Sequence, residues 1–305
     1  MKPKNSYGRQ RRAFTGDAPA GSRWRGLALL AALAVVSGTV ACGSDGSDTS
    51  ADRTTTTSRG SDGEPATTSE PITSAPRSSS YVIDGRTVSM PCEGEGSIPV
   101  VLHAGGTDPH SVWDDLVAAL GPDVLTCRFD APGVGDSDPP AAPVTASARA
   151  DALDATLTAA GLDGQVVLVA HSLAGQTARQ LGSRHPERLA GAVLLDPTTR
   201  VVMHALHADL TADGWDAVAA EAEADAEVAW PVIPLVVLSH DPALGVLGPP
   251  VVEELWTEGQ AEYAALSAAS RHEVVTGSGH YLHRDATPVV AAAILEVLSR
   301  VREPE

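Results

Sequence analysis

Lysine is absent from this chain after position 4. Arginine alone carries positive charge from there on, and it is outnumbered. Beyond residue 41 there are 14 Arg against 38 Asp and Glu, a net charge near −24. So acidic a surface argues against nucleic acid and anionic substrates as partners. It also removes any basic attraction to lipid headgroups. Cysteine is scarce, with three residues in 305. The ten His show no paired ligand spacing with Cys or carboxylates, so no metal site is expected. His204 and His207 could share a helix face near Asp209, but a solvated or cap-lining role is the expectation. A Gly-rich phosphate loop of dinucleotide type is missing as well, and no cofactor is expected. No internal repeat is visible.

What is present begins with a basic leader. Lys2, Lys4, Arg9, Arg11, Arg12, Arg23 and Arg25 face a single acid, Asp17, and the apolar run Leu27–Val36 follows. That run is too short to span a bilayer comfortably and fits a cleavable export signal over residues 1–41. Thr39-Val40-Ala41-Cys42 resembles a lipoprotein processing box, in which the cysteine is acylated and becomes the new N-terminus. Thr39 departs from it, because an aliphatic residue is usual there. Arg11-Arg12-Ala13-Phe14 looks like a twin-arginine signal set unusually far from the apolar run. Residues 43–80 hold 18 Ser or Thr and one large aliphatic, Ile72. Such a stretch cannot repay the entropy of ordering, so residues 42–80 read as a disordered tether. The expected anchor is then a lipid on Cys42, with the domain outside the cytoplasmic membrane. Cys92 and Cys127 are left as a pair in an oxidising compartment, which favours a disulfide.

Residues 81–305 suit one domain. Tyr81–Ile83, Asp84-Gly85 and Thr87–Met90 read as a hairpin. Apolar strands are expected at Ile98–His103, Val124–Phe129, Val166–Ala170, Ala190–Leu195 and Pro234–Ser239, with a short extended piece at Glu273–Thr276. Helical spacing links Trp113, Leu116, Val117 and Leu120, and it recurs over 145–160, Leu173–Arg184 and Val290–Val301. Strands alternating with helices define an α/β fold: a mostly parallel central sheet with helices on both faces. Residues 200–232 are too many for a simple crossover. They are expected to form a small cap excursion with one helix at about Asp213–Val228, or an ordinary crossover helix with a loop.

Ala170-His171-Ser172-Leu173-Ala174-Gly175 follows an apolar strand directly and opens a helix. A serine on so sharp a turn points its hydroxyl out of the sheet, and small residues two before and two after it relieve the crowding. The same turn aims the Leu173 N–H at the space where an oxyanion would form. Ser278-Gly279-His280 lies late in the chain, where a His can act as general base toward Ser172. His283 is the alternative, though it fits better as the start of the next helix. His103-Ala104-Gly105-Gly106 ends a strand, and Gly105 is the candidate second oxyanion donor. Asp130 and Asp136 sit in a Gly-rich loop and read as structural.

These pieces, in this order, resemble the α/β-hydrolase fold superfamily. Phe129-Asp130-Ala131-Pro132-Gly133-Val134-Gly135-Asp136-Ser137 looks like its strand-to-loop signature. The likeness is closest to a bacterial subset marked by Cys92, Gly94, Gly96 and Pro99, by a second Cys such as Cys127, and by Trp256, Leu266-Ser267 and Ser278-Gly279-His280. The resemblance implies acyl transfer by a Ser-His-acid triad. Its acid is open between Asp196, at the end of Ala190–Leu195, and Asp241, past Pro234–Ser239. A small-molecule ester is the expected substrate. The alternatives are an amidase or peptidase, a cofactor-free haloperoxidase-like enzyme, or a non-catalytic binding protein on the same fold.

Overall fold

The computed structural model describes residues 78–226 and 229–303. The leader, Cys42 and the tether up to residue 77 lie outside the described residues. The described chain opens with the hairpin β1 (Ser80–Ile83) and β2 (Arg86–Ser89). Asp84 and Gly85 take φ of 49° and 74°. A two-residue turn needs this left-handed pair to match the twist of its strands.

Seven further strands form one sheet: β3 (Cys92–Glu93), β4 (Val100–His103), β5 (Thr126–Phe129), β6 (Val166–His171), β7 (Leu189–Leu195), β8 (Leu235–Ser239) and β9 (Ser270–Val274). Their order is β3-β5-β4-β6-β7-β8-β9. Every pairing is parallel except β3 on β5. Strands β4, β6, β7 and β8 are buried along their whole length, which is why they read as unbroken apolar runs. Pro99 and Pro234 stand just before β4 and β8. Lacking an N–H, they precede the ladders, so these strands begin one or two residues later than their apolar runs.

The helices are α1 (Asp114–Leu120), α2 (Ala146–Ala159), α3 (Ala174–Arg184), α4 (Arg200–Ala205), α5 (His207–Ala212), α6 (Ala217–Asp225), α7 (Pro250–Ala264), α8 (Leu282–Asp285) and α9 (Thr287–Arg302). On one face Leu116 and Leu120 of α1 and Ile294 and Leu298 of α9 pack with Val100, Leu102, Val167 and Val169. On the other, Leu153 and Leu157 of α2 and Leu181 of α3 pack with Val101, Leu168 and Leu194. The expected layering is the observed one.

The segment between β7 and β8 is a cap built from α4, α5 and α6. It has an apolar cluster of its own, with Met203, Leu206, Leu210 and Trp215 against Leu173 and Trp256. The single helix expected at about Asp213–Val228 starts later, at Ala217. Asp216 caps it there by accepting from the Ala219 N–H at 3.0 Å. The two helices before it, of six residues each, are too short to print a full period in the sequence.

Cys92 and Cys127 face each other across the β3–β5 pair and are joined by a disulfide. The bridge closes a loop over a separation of 35 residues. By chain entropy a loop of that size contributes about 3–4 kcal/mol.

Candidate active site

Ser172 follows β6 directly, and its backbone is forced into the left-handed region at φ 53°. A non-glycine residue pays for that conformation, and the surroundings hold it there. Its N–H donates to the Leu195 carbonyl at 3.0 Å, and its own carbonyl accepts from Thr198 at 2.9 Å. The turn is thereby stitched to the end of the neighbouring strand. Close packing explains the small residues around it. A Cβ on Gly175 would come within 2.5 Å of Pro197.

Asp196, one residue past β7, has the same strain at φ 44°. This turns its carboxylate over the sheet edge, where it is fully buried. His280 lies between the two. Its Nε2 is 3.0 Å from the Ser172 Oγ, and its Nδ1 is 2.6 Å from Asp196 Oδ2. Three side chains from three separate connections thus form one hydrogen-bonded line. The Ser172 hydroxyl has a second neighbour, Thr198 Oγ1, at 3.3 Å.

Asp196 has more partners. The Trp256 indole N–H donates to Oδ1 at 2.8 Å, and His240 Nδ1 lies 2.9 Å from both oxygens. The other nitrogen of His240 reaches Glu253 at 2.7 Å. Burial works to raise the Asp196 pKa. The hydrogen bonds from His240 and His280 outweigh it and hold the carboxyl well below its usual range. Burial likewise opposes charge on His240. There the carboxylates of Asp196 and Glu253 prevail, so its pKa is raised. His240 and Glu253 are members of this network that no motif in the sequence marks. The only available signal was their position past β8, the strand beside Asp196.

Asp241 is placed elsewhere. It is half-buried, and it accepts from the Ala243 N–H and the Gly277 N–H, both at 2.9 Å. These bonds brace a turn and lower its pKa. No hydrogen bond joins it to His280. As a candidate for the acid it gives way to Asp196 on geometry, because its carboxylate is spent on loop amides.

Gly105 lies hard against the serine turn. A Cβ there would come within 2.6 Å of Ser172 Cβ and 3.0 Å of the Leu173 nitrogen. Among the described residues neither the Gly105 N–H nor the Leu173 N–H has an acceptor. Two unspent donors beside the Ser172 hydroxyl are what a developing oxyanion requires. His283 is buried within the short helix α8, beside Trp113, and burial lowers its pKa to about 3. It stays neutral and does not reach Ser172.

One group among the described residues brings metal-type ligands together: His110, Asp130 and Asp136. The Asp130 carboxylate is already engaged by the His110 N–H at 2.6 Å, the His110 ring at 2.7 Å and the Asp136 N–H at 3.0 Å. These bonds brace the loop after β5. His204 and His207 pair with Asp225 and Glu221 on the exposed side of the cap.

The family described as alpha/beta hydrolase fold matches residues 98–236. Over 102 residues the chain is 39% identical to lipase LipV of Mycobacterium tuberculosis, which takes in 33% of this chain and 38% of that lipase. The chain spans well under half the length of the curated relatives it matches. Among solved structures, a thermophilic esterase of Thermogutta terrifontis superposes with a TM-score of 0.55 at 20% identity, covering 74% of this chain and 98% of that one. An enol-lactonase of Burkholderia xenovorans does so with a TM-score of 0.56 at 18% identity, covering 72% and 99%. The chain has the α/β-hydrolase fold.

Proposed function

We propose that this protein is a serine hydrolase that cleaves carboxylic esters of small molecules by acyl transfer. The observation that carries the reading is the line Ser172–His280–Asp196. Ser172 attacks the ester carbonyl while His280 takes its proton. His280 then protonates the departing alcohol and afterwards activates water to release the acyl group. Asp196 holds the imidazole in the required tautomer and stabilises its charged form. Leu173 and Gly105 supply the oxyanion N–H groups. An alkoxide leaves more easily than an amine, which favours esters over amides. The names of the similar proteins, a lipase, an esterase and an enol-lactonase, support the same bond class. A fluorophosphonate probe should label Ser172 and nothing else, and p-nitrophenyl esters of graded acyl length should be turned over. Intact enzyme that resists the probe and cleaves none of the esters would sink the proposal.

The same proposal places the domain outside the cytoplasmic membrane, held by acyl chains on Cys42. One chain binds only weakly, so two or more are required. Cys42→Ala should move the protein from the membrane fraction into the medium. A variant that stays wholly membrane-bound would mean that the leader itself is the anchor.

A further inference from the structure

The buried charges described so far have partners. Asp196 has two histidines and an indole, Glu253 has His240, and Asp130 has His110. Arg149 is different. It stands in the first turn of α2 with 3% of its surface exposed. Its side chain makes no hydrogen bond and no ion pair with any described residue, and Nε is buried without an acceptor. What it has is the indole of Trp215, whose ring centre lies 4.2 Å from the guanidinium carbon. A ring face attracts a cation, yet it satisfies none of the five N–H donors in the plane of the group.

Burial draws the Arg149 pKa down to about 10, and the charge of Asp213 offsets this only in part. The group therefore remains a cation at neutral pH. Burying a cation without its counter-ion is strongly unfavourable. A methionine would fill much the same volume without that cost. An anion arriving from outside would repair the imbalance.

The surroundings say where that anion would sit. Arg149 is near enough to His103 to add to the effect of burial and help bring that imidazole down to about 3. His103 ends β4, and Gly105, two residues on, is the residue packed against Ser172. On the other side of the guanidinium, Trp215 shares the apolar cluster of the cap with Leu173. Arg149 thus packs on a cap residue, Trp215, that shares its apolar cluster with Leu173, the residue after Ser172.

We propose that Arg149 is a substrate-binding residue, and that the protein acts on small esters that also carry a carboxylate. This rests on the hydrolase reading above. The acidic exterior does not oppose it at contact range, since exposed charges are screened beyond about 8 Å at physiological salt, whereas a desolvated guanidinium acts directly on the group it touches.

The test compares monomethyl glutarate and acetoxyacetate, which carry the carboxylate on the acyl and alcohol sides, with their neutral methyl esters. Wild type should favour at least one acid over its neutral partner. Arg149→Met should lower kcat/KM for that acid by roughly 10–100-fold relative to its neutral ester, the worth of one charge-assisted hydrogen bond. Arg149→Lys should recover part of the loss. Thermal denaturation with excess glutarate reads binding without turnover. Stabilisation of the wild type that Arg149→Met abolishes would uphold the anion site even if no ester were cleaved, and only the hydrolase reading would then fall. Should Arg149→Met not fold, the wild-type titration decides the matter. A wild type that prefers neutral esters and ignores glutarate overturns the proposal.

Discussion

Ser172→Ala is expected to lower ester turnover on the order of 10⁶-fold, the cost seen when the nucleophile of a serine triad is removed. The residual rate would come from the oxyanion donors and from binding. The fold should survive. The lost hydroxyl makes two polar contacts, to His280 at 3.0 Å and Thr198 at 3.3 Å. Their removal should change stability by no more than about 1–2 kcal/mol. Paired measurements of turnover and melting temperature would separate the two effects. Normal turnover without the Ser172 hydroxyl would end the serine-hydrolase reading altogether.

The second large effect is expected at Asp196. Asp196→Asn should reduce turnover by about 10⁴-fold, because an amide favours the wrong imidazole tautomer. It should also destabilise the protein. Asp196 accepts from His280, from His240 and from Trp256, and an amide has only one oxygen with which to receive them. Each donor left unsatisfied costs roughly 1–3 kcal/mol. Asp241→Asn supplies the contrast. That carboxylate is bonded to the loop amides of Ala243 and Gly277, so turnover should stay within a small factor of wild type. If both variants keep turnover near wild type, neither aspartate is the acid.

The difference between these two aspartates shows what the sequence could and could not reveal. Ser172 was legible because an apolar strand runs straight into a turn flanked by alanines, a local pattern. The two aspartates look alike in sequence, since each stands just past an apolar strand. They are told apart by a backbone angle, φ 44° at Asp196, and by which amides lie nearby. Neither quantity is written in residue order. The His240–Glu253 pair was hidden for a related reason. It depends on β8 lying beside β7, an adjacency in space. The extended piece expected at Glu273–Thr276 is β9, which starts three residues earlier and ends two earlier, at Ser270–Val274. It is an edge strand of largely polar residues, Ser-Arg-His-Glu-Val, so it lacks the apolar run that marked the central strands. The disulfide could be inferred from the count of cysteines, but not its register. Cys92 sits in a two-residue antiparallel strand that no periodicity can signal.

Leu173 has a double attachment that bears on how such a protein can change over time. Its side chain belongs to the apolar cluster of the cap, with Trp215 and Trp256, while its backbone N–H is turned toward Ser172. The cap therefore acts as an abutment for the backbone that carries the proposed oxyanion donor. A new cap spliced onto the old sheet would alter the seating of that donor along with the shape of the cleft. Exchanging the cap would then call for a matching change at Leu173, so the two behave as one mechanical part.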